Sequence, residues 1–310
     1  MQIHRGLQEL PKFKNLVLTQ GTFDGVHLGH QHVLQQVLSK AKEIDGESML
    51  MTFYPHPRLV LHPNDNSLKL INTIEEKASV LRQLGLNHLL VIPFTRDFSQ
   101  LSPLEFVREI LVNTLGLRNM VVGYDHRFGK NREGTFAELE QLSHVFNFNV
   151  TQIEASVINE LTISSTKIRE GLLKGDIQKA NDLLGRPFSF TGIVGHGRKL
   201  GRTIGFPTAN IQILDPYKIR PAKGVYAIKC QVGNSWHDGV MNIGDNPTIE
   251  GKGFSIEAHL FDFDGNLYDA KLTVQLIAYL RTEMKFSGVD ELKKNIALDC
   301  EKAKQILWEN

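Results

Sequence analysis

Residues 21–32 read GTFDGVHLGHQH, with three histidines, three glycines and an aspartate in one short stretch. The residues before it, Leu16-Val17-Leu18, are strand-like, while Val33, Leu34, Val37, Leu38 and Ala41 after it repeat at helical spacing. The stretch is therefore a strand-to-helix turn. Such a turn aims unpaired backbone N–H groups and the positive end of a helix dipole at one crevice, which suits a phosphate. Gly21, Gly25 and Gly29 let the backbone approach that ligand closely, with Thr22, Phe23 and Asp24 between them. No Lys-Ser/Thr pair follows, so the stretch is not a P-loop, and its spacing is not Gly-x-Gly-x-x-Gly. His27 and His30, three apart at the helix start, can donate hydrogen bonds to the equatorial oxygens of a phosphate as it becomes five-coordinate. A zinc site built from His27, His30 and His32 would lack the cysteine or carboxylate partners this metal usually takes.

Outward from this turn, residues 16 to about 185 alternate strand-like and helix-like segments. The strands are NLVLTQG, ESMLMTFYP, NHLLVIPF, RNMVVGY and NVTQIEA; the helices follow the first turn, run from about Thr73 to Leu84, and include SPLEFVREILVNTLG and GTFAELEQLSHVF. Ser102-Pro103 is an N-cap and first-turn pair, and Gly85 and Gly116 are helix-ending glycines. This rhythm predicts a Rossmann-like α/β domain, a parallel sheet with helices on both faces. LHPNDNSLKLIN, at 61–72, is expected to be an exposed loop. After Arg186-Pro187 the pattern changes to short β-type runs separated by Gly, Asn, Asp and Pro. A small antiparallel barrel follows, with a terminal helix from Val289 to Trp308 that Ser287 or Asp290 could cap. The expected domains are 1–185 and 186–310.

A chain of 310 residues exceeds what one core usually supports, so two domains are the natural division. The formal net charge of +1 provides no basic field for nucleic acid. The two cysteines, Cys230 and Cys300, exclude a disulfide framework and suit a reducing compartment, so a cytoplasmic protein is expected. The N-terminus lacks a signal-peptide core, and no apolar run reaches the roughly 20 residues of a membrane span.

A second dense block, GHGRKLGRTIGFPTANI at 195–211, places Gly195, Gly197, Gly201 and Gly205 among Arg198, Lys199 and Arg202. Such a loop can wrap a polyphosphate with backbone N–H groups and cationic side chains. Thr208 and Asn210, two apart on an expected strand, point to one face and offer a hydroxyl and an amide oxygen to Mg2+.

Four blocks in the first half resemble the HxGH nucleotidyltransferases, and among them the bacterial flavin adenylyltransferases. They are GTFDGVHLGH itself, Thr52-Phe53-Tyr54-Pro55-His56-Pro57, Gly123-Tyr124-Asp125-His126-Arg127-Phe128-Gly129, and Ile163-Ser164-Ser165-Thr166-Lys167-Ile168-Arg169. The resemblance implies that Ser164, Ser165, Thr166 and Arg169 meet the outer phosphates of ATP, and that His56, Asp125 and Arg127 belong to flavin or nucleotide loops. The second half resembles riboflavin kinase throughout. That likeness assigns Phe206 and the 195–205 glycines and cations to ATP, Glu257 to the catalytic base, and Arg281, Glu283 and Phe286 to the flavin. His126 stands where the family more often has an aromatic residue, Asp269 where it has glycine and Thr282 where it has proline.

Both resemblances together imply a bifunctional riboflavin kinase/FMN adenylyltransferase of the FAD synthetase family. Its substrates would be riboflavin, FMN and ATP with Mg2+, without a tightly bound cofactor, nucleic acid or membrane partner, as a monomer or weak homo-oligomer. Two other readings stay open: adenylyl transfer to another phosphate acceptor, such as a nicotinamide or pantetheine phosphate, and a flavin- or nucleotide-binding regulator without turnover. The segment Phe261-Asp262-Phe263-Asp264-Gly265 resembles the aspartyl-phosphate motif of haloacid-dehalogenase phosphatases. Its late position in a β-rich half argues instead for a hairpin turning at Asp264-Gly265.

Overall fold

The computed structural model describes residues 1–65, 67–124, 126–153, 163–196, 201, 204–248 and 251–308. The chain divides into two compact units, Met1–Ser164 and Ser165–Asn310.

The first unit is built on six strands, β1 (Gln2–Arg5), β2 (Leu16–Gln20), β3 (Ser48–Tyr54), β4 (His88–Pro93), β5 (Leu117–Gly123) and β6 (Asn149–Ile153). Their order is β1-β4-β3-β2-β5-β6, and every pairing is parallel. Because side chains alternate across a strand, Leu16, Leu18, Met49 and Met51 enter one core while Val17 and Leu50 enter another. Apolar residues on both faces explain why these strands read as continuous hydrophobic runs. Helices α1 (Leu28–Glu43), α2 (Pro57–Leu61) and α3 (Ile74–Gln83) follow. Next, α4 starts at Pro103–Glu105 and continues as a π-helix over Phe106–Thr114, and α5 spans Phe136–Phe146. Val37, Ala41, Ala78 and Leu81 cover one face, and Val107, Leu111 and Leu139 the other.

The strand β2 has β3 on one side and β5 on the other, so the order reverses there. In open parallel sheets a crevice forms at such a reversal, beyond the carboxyl ends of the strands. The loops after β2, β3 and β5 all leave from that edge.

The segment expected as an exposed loop at 61–72 is exposed only at its start. Leu68, Leu70, Ile71 and Asn72 are buried because the Asp24 carboxylate accepts the N–H groups of Ile71 at 2.9 Å and Asn72 at 3.2 Å. The edge strand β1 is an addition to the expected set.

In the second unit, helices α6 (Ser165–Lys174) and α7 (Ile177–Leu184) precede six strands. These are β7 (Phe188–Gly195), β8 (Ala209–Gln212), β9 (Gly224–Val232), β10 (Ser235–Thr248), β11 (Gly251–Leu260) and β12 (Lys271–Arg281), and α8 (Val289–Trp308) ends the chain's described part. The strands close a barrel in the order β10-β11-β8-β7-β12-β9, antiparallel throughout. The hairpin expected at Asp264-Gly265 does not form: β11 pairs with β10 and β8, β12 with β7 and β9, so residues 261–270 connect strands that are not neighbours. Ser287 donates its N–H and hydroxyl to Glu291 ahead of α8, both bonds within 2.8 Å.

The compact units divide earlier than the expected boundary at 185/186. Asn181 of α7 donates to the Leu276 carbonyl at 2.9 Å and accepts the Phe188 N–H at 2.7 Å, which ties these helices to β12 and β7.

Candidate functional site

In the first unit, His27 is the N-cap of α1, and its Nδ1 accepts the His30 N–H at 3.3 Å. With Nδ1 accepting, the proton of a neutral imidazole resides on Nε2, which is thereby a donor. The His27 and His30 rings stack with centroids 3.6 Å apart, and Phe23 stacks on His30 at 4.6 Å. The sequence places these rings together because a cap and the third helical residue share one face.

The loop ahead of them is strained. Phe23 and Val26 adopt φ of 44° and 42°, the left-handed region that a β-branched valine rarely enters, and Gly25 follows suit at 88°. Two buried charges hold it. Asp24 takes the two N–H groups of residues 71 and 72, and Lys77 of α3 donates Nζ–H to the Thr22 carbonyl at 2.6 Å and to Thr52 Oγ1 at 3.3 Å. Burial pushes the Lys77 ammonium down to about 8, with the Asp24 charge opposing that shift.

His56 caps α2, its Nδ1 accepting the Arg58 N–H at 3.1 Å, at the end of β3. Arg127 is exposed in the loop after β5. Gly21 and Gly29 lie against the Phe23 and His27 rings. Ser164 closes the first unit, while Ser165, Thr166 and Arg169 occupy the first turns of α6 in the second. Asp125, Gly197, Arg198, Lys199 and Arg202 lie outside the described residues.

In the barrel, one transverse row of register partners runs Arg281, Val225, Asn242, Glu257, Asn210 and Gly195 across six adjacent strands. Directly opposed residues share a face. On that face Ala227, Val240 and Phe261 pack under Cys300, Ala303 and Leu307 of α8. Beside this apolar patch Arg281, Val225, Asn242 and Glu257 of the row border a cavity of about 200 Å³. Thr208, Asn242 and Glu257 line it, as do Met284, Phe286, Leu292 and Ile296.

Thr208, which directly precedes β8, donates its hydroxyl to Glu257 Oε2 at 3.4 Å. His259 Nδ1 donates to the Pro207 carbonyl at 2.8 Å, and its ring meets Phe206 edge-on. Gly201 and Glu283 also line the cavity, and a side chain at Gly201 would strike the Phe206 carbonyl. Gly205 sits at φ 88°. Arg281 donates through Nε and Nη2 to both carboxylate oxygens of the buried Asp299, at 2.9 and 2.7 Å, with Phe286 5.8 Å from its guanidinium. Among the described residues no cluster of three His, Cys, Asp or Glu side chains could hold a metal. Lys77, Asn242, His259 and Asp299 are additions to the expected sites. Lys77 and Asp299 carry a signal in sequence, a charge at a position that helical spacing assigns to the core.

A family model described as FAD synthetase matches residues 10–167, and one described as riboflavin kinase matches residues 184–307. A bifunctional riboflavin kinase/FMN adenylyltransferase of Haemophilus influenzae is 39% identical over 98% of both chains. Proteins of the same description from Bacillus subtilis, at 39% over 93% of this chain and 91% of its own, and Escherichia coli, at 37% over 96% of each, are similar. A crystal structure described as a macrolide-efflux protein of Streptococcus pneumoniae matches with a TM-score of 0.86 and 28% identity over 98% of each chain. Among the described residues here, no helix is long and apolar enough to cross a membrane.

Proposed function

Since this chain belongs to the bifunctional riboflavin kinase/FMN adenylyltransferase family, we propose that the cavity beside Glu257 receives riboflavin and that the crevice beyond β2 is the centre of adenylyl transfer. The enzyme phosphorylates riboflavin to FMN with ATP in its C-terminal part, and adenylylates FMN to FAD with a second ATP in its N-terminal part, releasing pyrophosphate. Functionally we assign the second step to residues 1–185 and the first to residues 186–310.

The observation that carries the kinase reading is the composition of the cavity. In its lining, Met284, Phe286, Leu292 and Ile296 suit a flat ring system, and Thr208, Asn242 and Glu257 suit a polyol ending near a phosphate. Glu257 accepts the proton of the ribityl hydroxyl as that oxygen attacks the γ-phosphorus. Arg281, held by Asp299, and Glu283 supply polar contacts at the flavin end, and Phe286 a ring face. ATP-using families of this kind need a divalent metal. The Thr208 hydroxyl and Asn210 amide oxygen are hard donors that fit Mg2+, which would neutralise phosphate charge there. Gly195, Gly197, Lys199, Gly201, Arg202, Gly205 and Phe206 complete the assigned ATP loop.

In the first unit, an FMN phosphate oxygen attacks the α-phosphorus of ATP. His27 Nε2–H and the His30 imidazole donate to the oxygens that gain charge as five bonds form. Thr22, Phe23 and the glycines of the loop bring backbone to the nucleotide, and Asp24 supports them from within. The motif likeness assigns Ser164, Ser165, Thr166 and Arg169 to the departing pyrophosphate, and His56, Asp125 and Arg127 to the flanking flavin and nucleotide loops.

The test separates the two steps in the full chain. His30→Ala is expected to cut FAD formation by roughly 10²- to 10³-fold while FMN still forms from riboflavin. Glu257→Ala stops FMN formation while FAD is still made from supplied FMN. Loss of both activities in either variant contradicts this division of labour.

A further inference from the structure

We propose that Lys77 is a positioning residue for adenylyl transfer, its buried ammonium holding the Thr22 carbonyl inward so that the strained Gly21–Gly25 loop keeps one conformation. This rests on the assignment of that loop to the adenylyl-transfer centre.

The side chain is buried, and its ammonium donates to an uncharged carbonyl and a hydroxyl, Thr22 O at 2.6 Å and Thr52 Oγ1 at 3.3 Å. A buried cation paired mainly with neutral oxygens is expensive, and an apolar residue of similar volume is often as stable or more so. The nearby Asp24 charge offsets part of that cost, yet does not by itself account for a lysine whose bonds go to neutral oxygens. Its target does: the peptide joining Thr22 to Phe23 is planar and trans, so drawing the carbonyl towards Lys77 turns the Phe23 N–H in the opposite direction. Phe23 is also the residue at φ 44° whose ring stacks on His30. Rotation of that one peptide would move both the N–H and the ring that supports His30.

The rest of the cluster acts on the same few residues. Asp24, the acidic group facing Lys77, pins the next residue of the loop through Ile71 and Asn72. Thr52 Oγ1 also donates to Thr22 O, at 3.3 Å. Two side chains, from β3 and α3, thus converge on the Thr22 carbonyl, while that of Asp24 anchors the same loop to residues 71 and 72.

The experiment uses the full chain with Lys77→Met, Lys77→Gln and Lys77→Arg, and with His30→Ala alongside. FAD formation from FMN and ATP, FMN formation from riboflavin, and the thermal midpoint are measured. Lys77→Met and Lys77→Gln are expected to lower kcat for FAD formation on the order of 10- to 100-fold, with KM for FMN and FMN formation little changed. Lys77→Arg, which keeps the N–H donors, recovers a large share of kcat. Glutamine is neutral and one bond shorter than lysine, so it does not reach Thr22 and carries the measurement if the methionine variant fails to fold. A folded Met or Gln variant with parental kcat overturns the proposal. So does a loss that follows a fallen midpoint and is equal in the arginine variant. If His30→Ala still makes FAD, the assignment of the centre fails instead, whatever Lys77 does.

Discussion

At the scale of single residues, the ion pair of Arg281 with Asp299 joins the end of β12 to α8 in the lining of the proposed flavin cavity. The Asp299 side chain is 5% exposed and that of Arg281 19% exposed, so solvent does little to screen the pair. Asp299→Ala leaves a guanidinium buried without its counter-charge, and is expected to cost about 3 kcal/mol in thermal unfolding and to raise KM for riboflavin. A second group of residues gives a pH dependence. His4 Nε2 and His88 Nδ1 lie 3.1 Å apart, and His88 Nε2 is 3.3 Å from Glu47 Oε1. Burial and the neighbouring His88 hold His4 below its ordinary 6.5, and the Lys14 N–H, with His88, holds Glu47 below 4.5. The unfolded chain therefore binds these protons first as the pH falls. The His4 contribution to stability is full above 6.5 and is lost as pH drops through its lowered value; that of Glu47 follows below 4.5. Thermal midpoints measured against pH should decline below 6.5, and His4→Gln should flatten the first part of the decline. Lys77 and Asp299 were legible as charges within apolar helical stripes, at i+3 from Ile74 and Ile296. Their partners were not, because Thr22 and Arg281 are distant in sequence.

At the scale of elements, α3 matters because it carries Lys77. Thr73 and Glu76 form a reciprocal cap at its start, the Thr73 hydroxyl accepting the Glu76 N–H at 3.2 Å and Glu76 accepting the Thr73 N–H at 3.0 Å. Thr73→Ala is expected to cost about 1 kcal/mol, read by denaturant unfolding. On the barrel, a side chain at Gly244 would strike the Glu283 carboxylate and crowd the Asn242 amide. Gly244→Ala should raise KM for riboflavin while FAD formation from FMN persists. Strand and helix alternation was readable because each periodicity repeats over a whole element. The four-residue β1, QIHR, was too short and polar to show one, and it exists because β4 offers it a parallel edge. The burial of 68–72 was equally hidden, since it depends on Asp24 in a distant loop. Asp269, in place of a glycine of the resembled family, adopts φ 61°, a conformation aspartate tolerates better than most residues.

At the scale of the whole molecule, packing and motif boundaries differ. Helices α6 and α7 are counted with the barrel, and the Ala222 N–H bonds to the Leu172 carbonyl at 2.9 Å as well as Asn181 bonding to β7 and β12. A chain of residues 165–310 is therefore expected to fold and form FMN. One of residues 186–310, deprived of the Asn181 and Leu172 contacts, should unfold at a lower temperature or fail to fold, as circular dichroism would report. The hairpin expected near Asp264 fails at this scale too: barrel closure places β12 between β7 and β9, and no local turn preference can oppose a closed ring of strand pairs.

By itself the sequence determined the two fold classes, the two glycine-rich blocks and the histidine pair, because each depends on neighbouring residues or short periodic spacing. Only the tertiary structure decided which charges are buried, which strands adjoin, and that Arg281, Asn242, Glu257 and Asn210 share one row. Those facts arise from long-range register and packing, where residues far apart in the chain compete for the same space and the same hydrogen bonds.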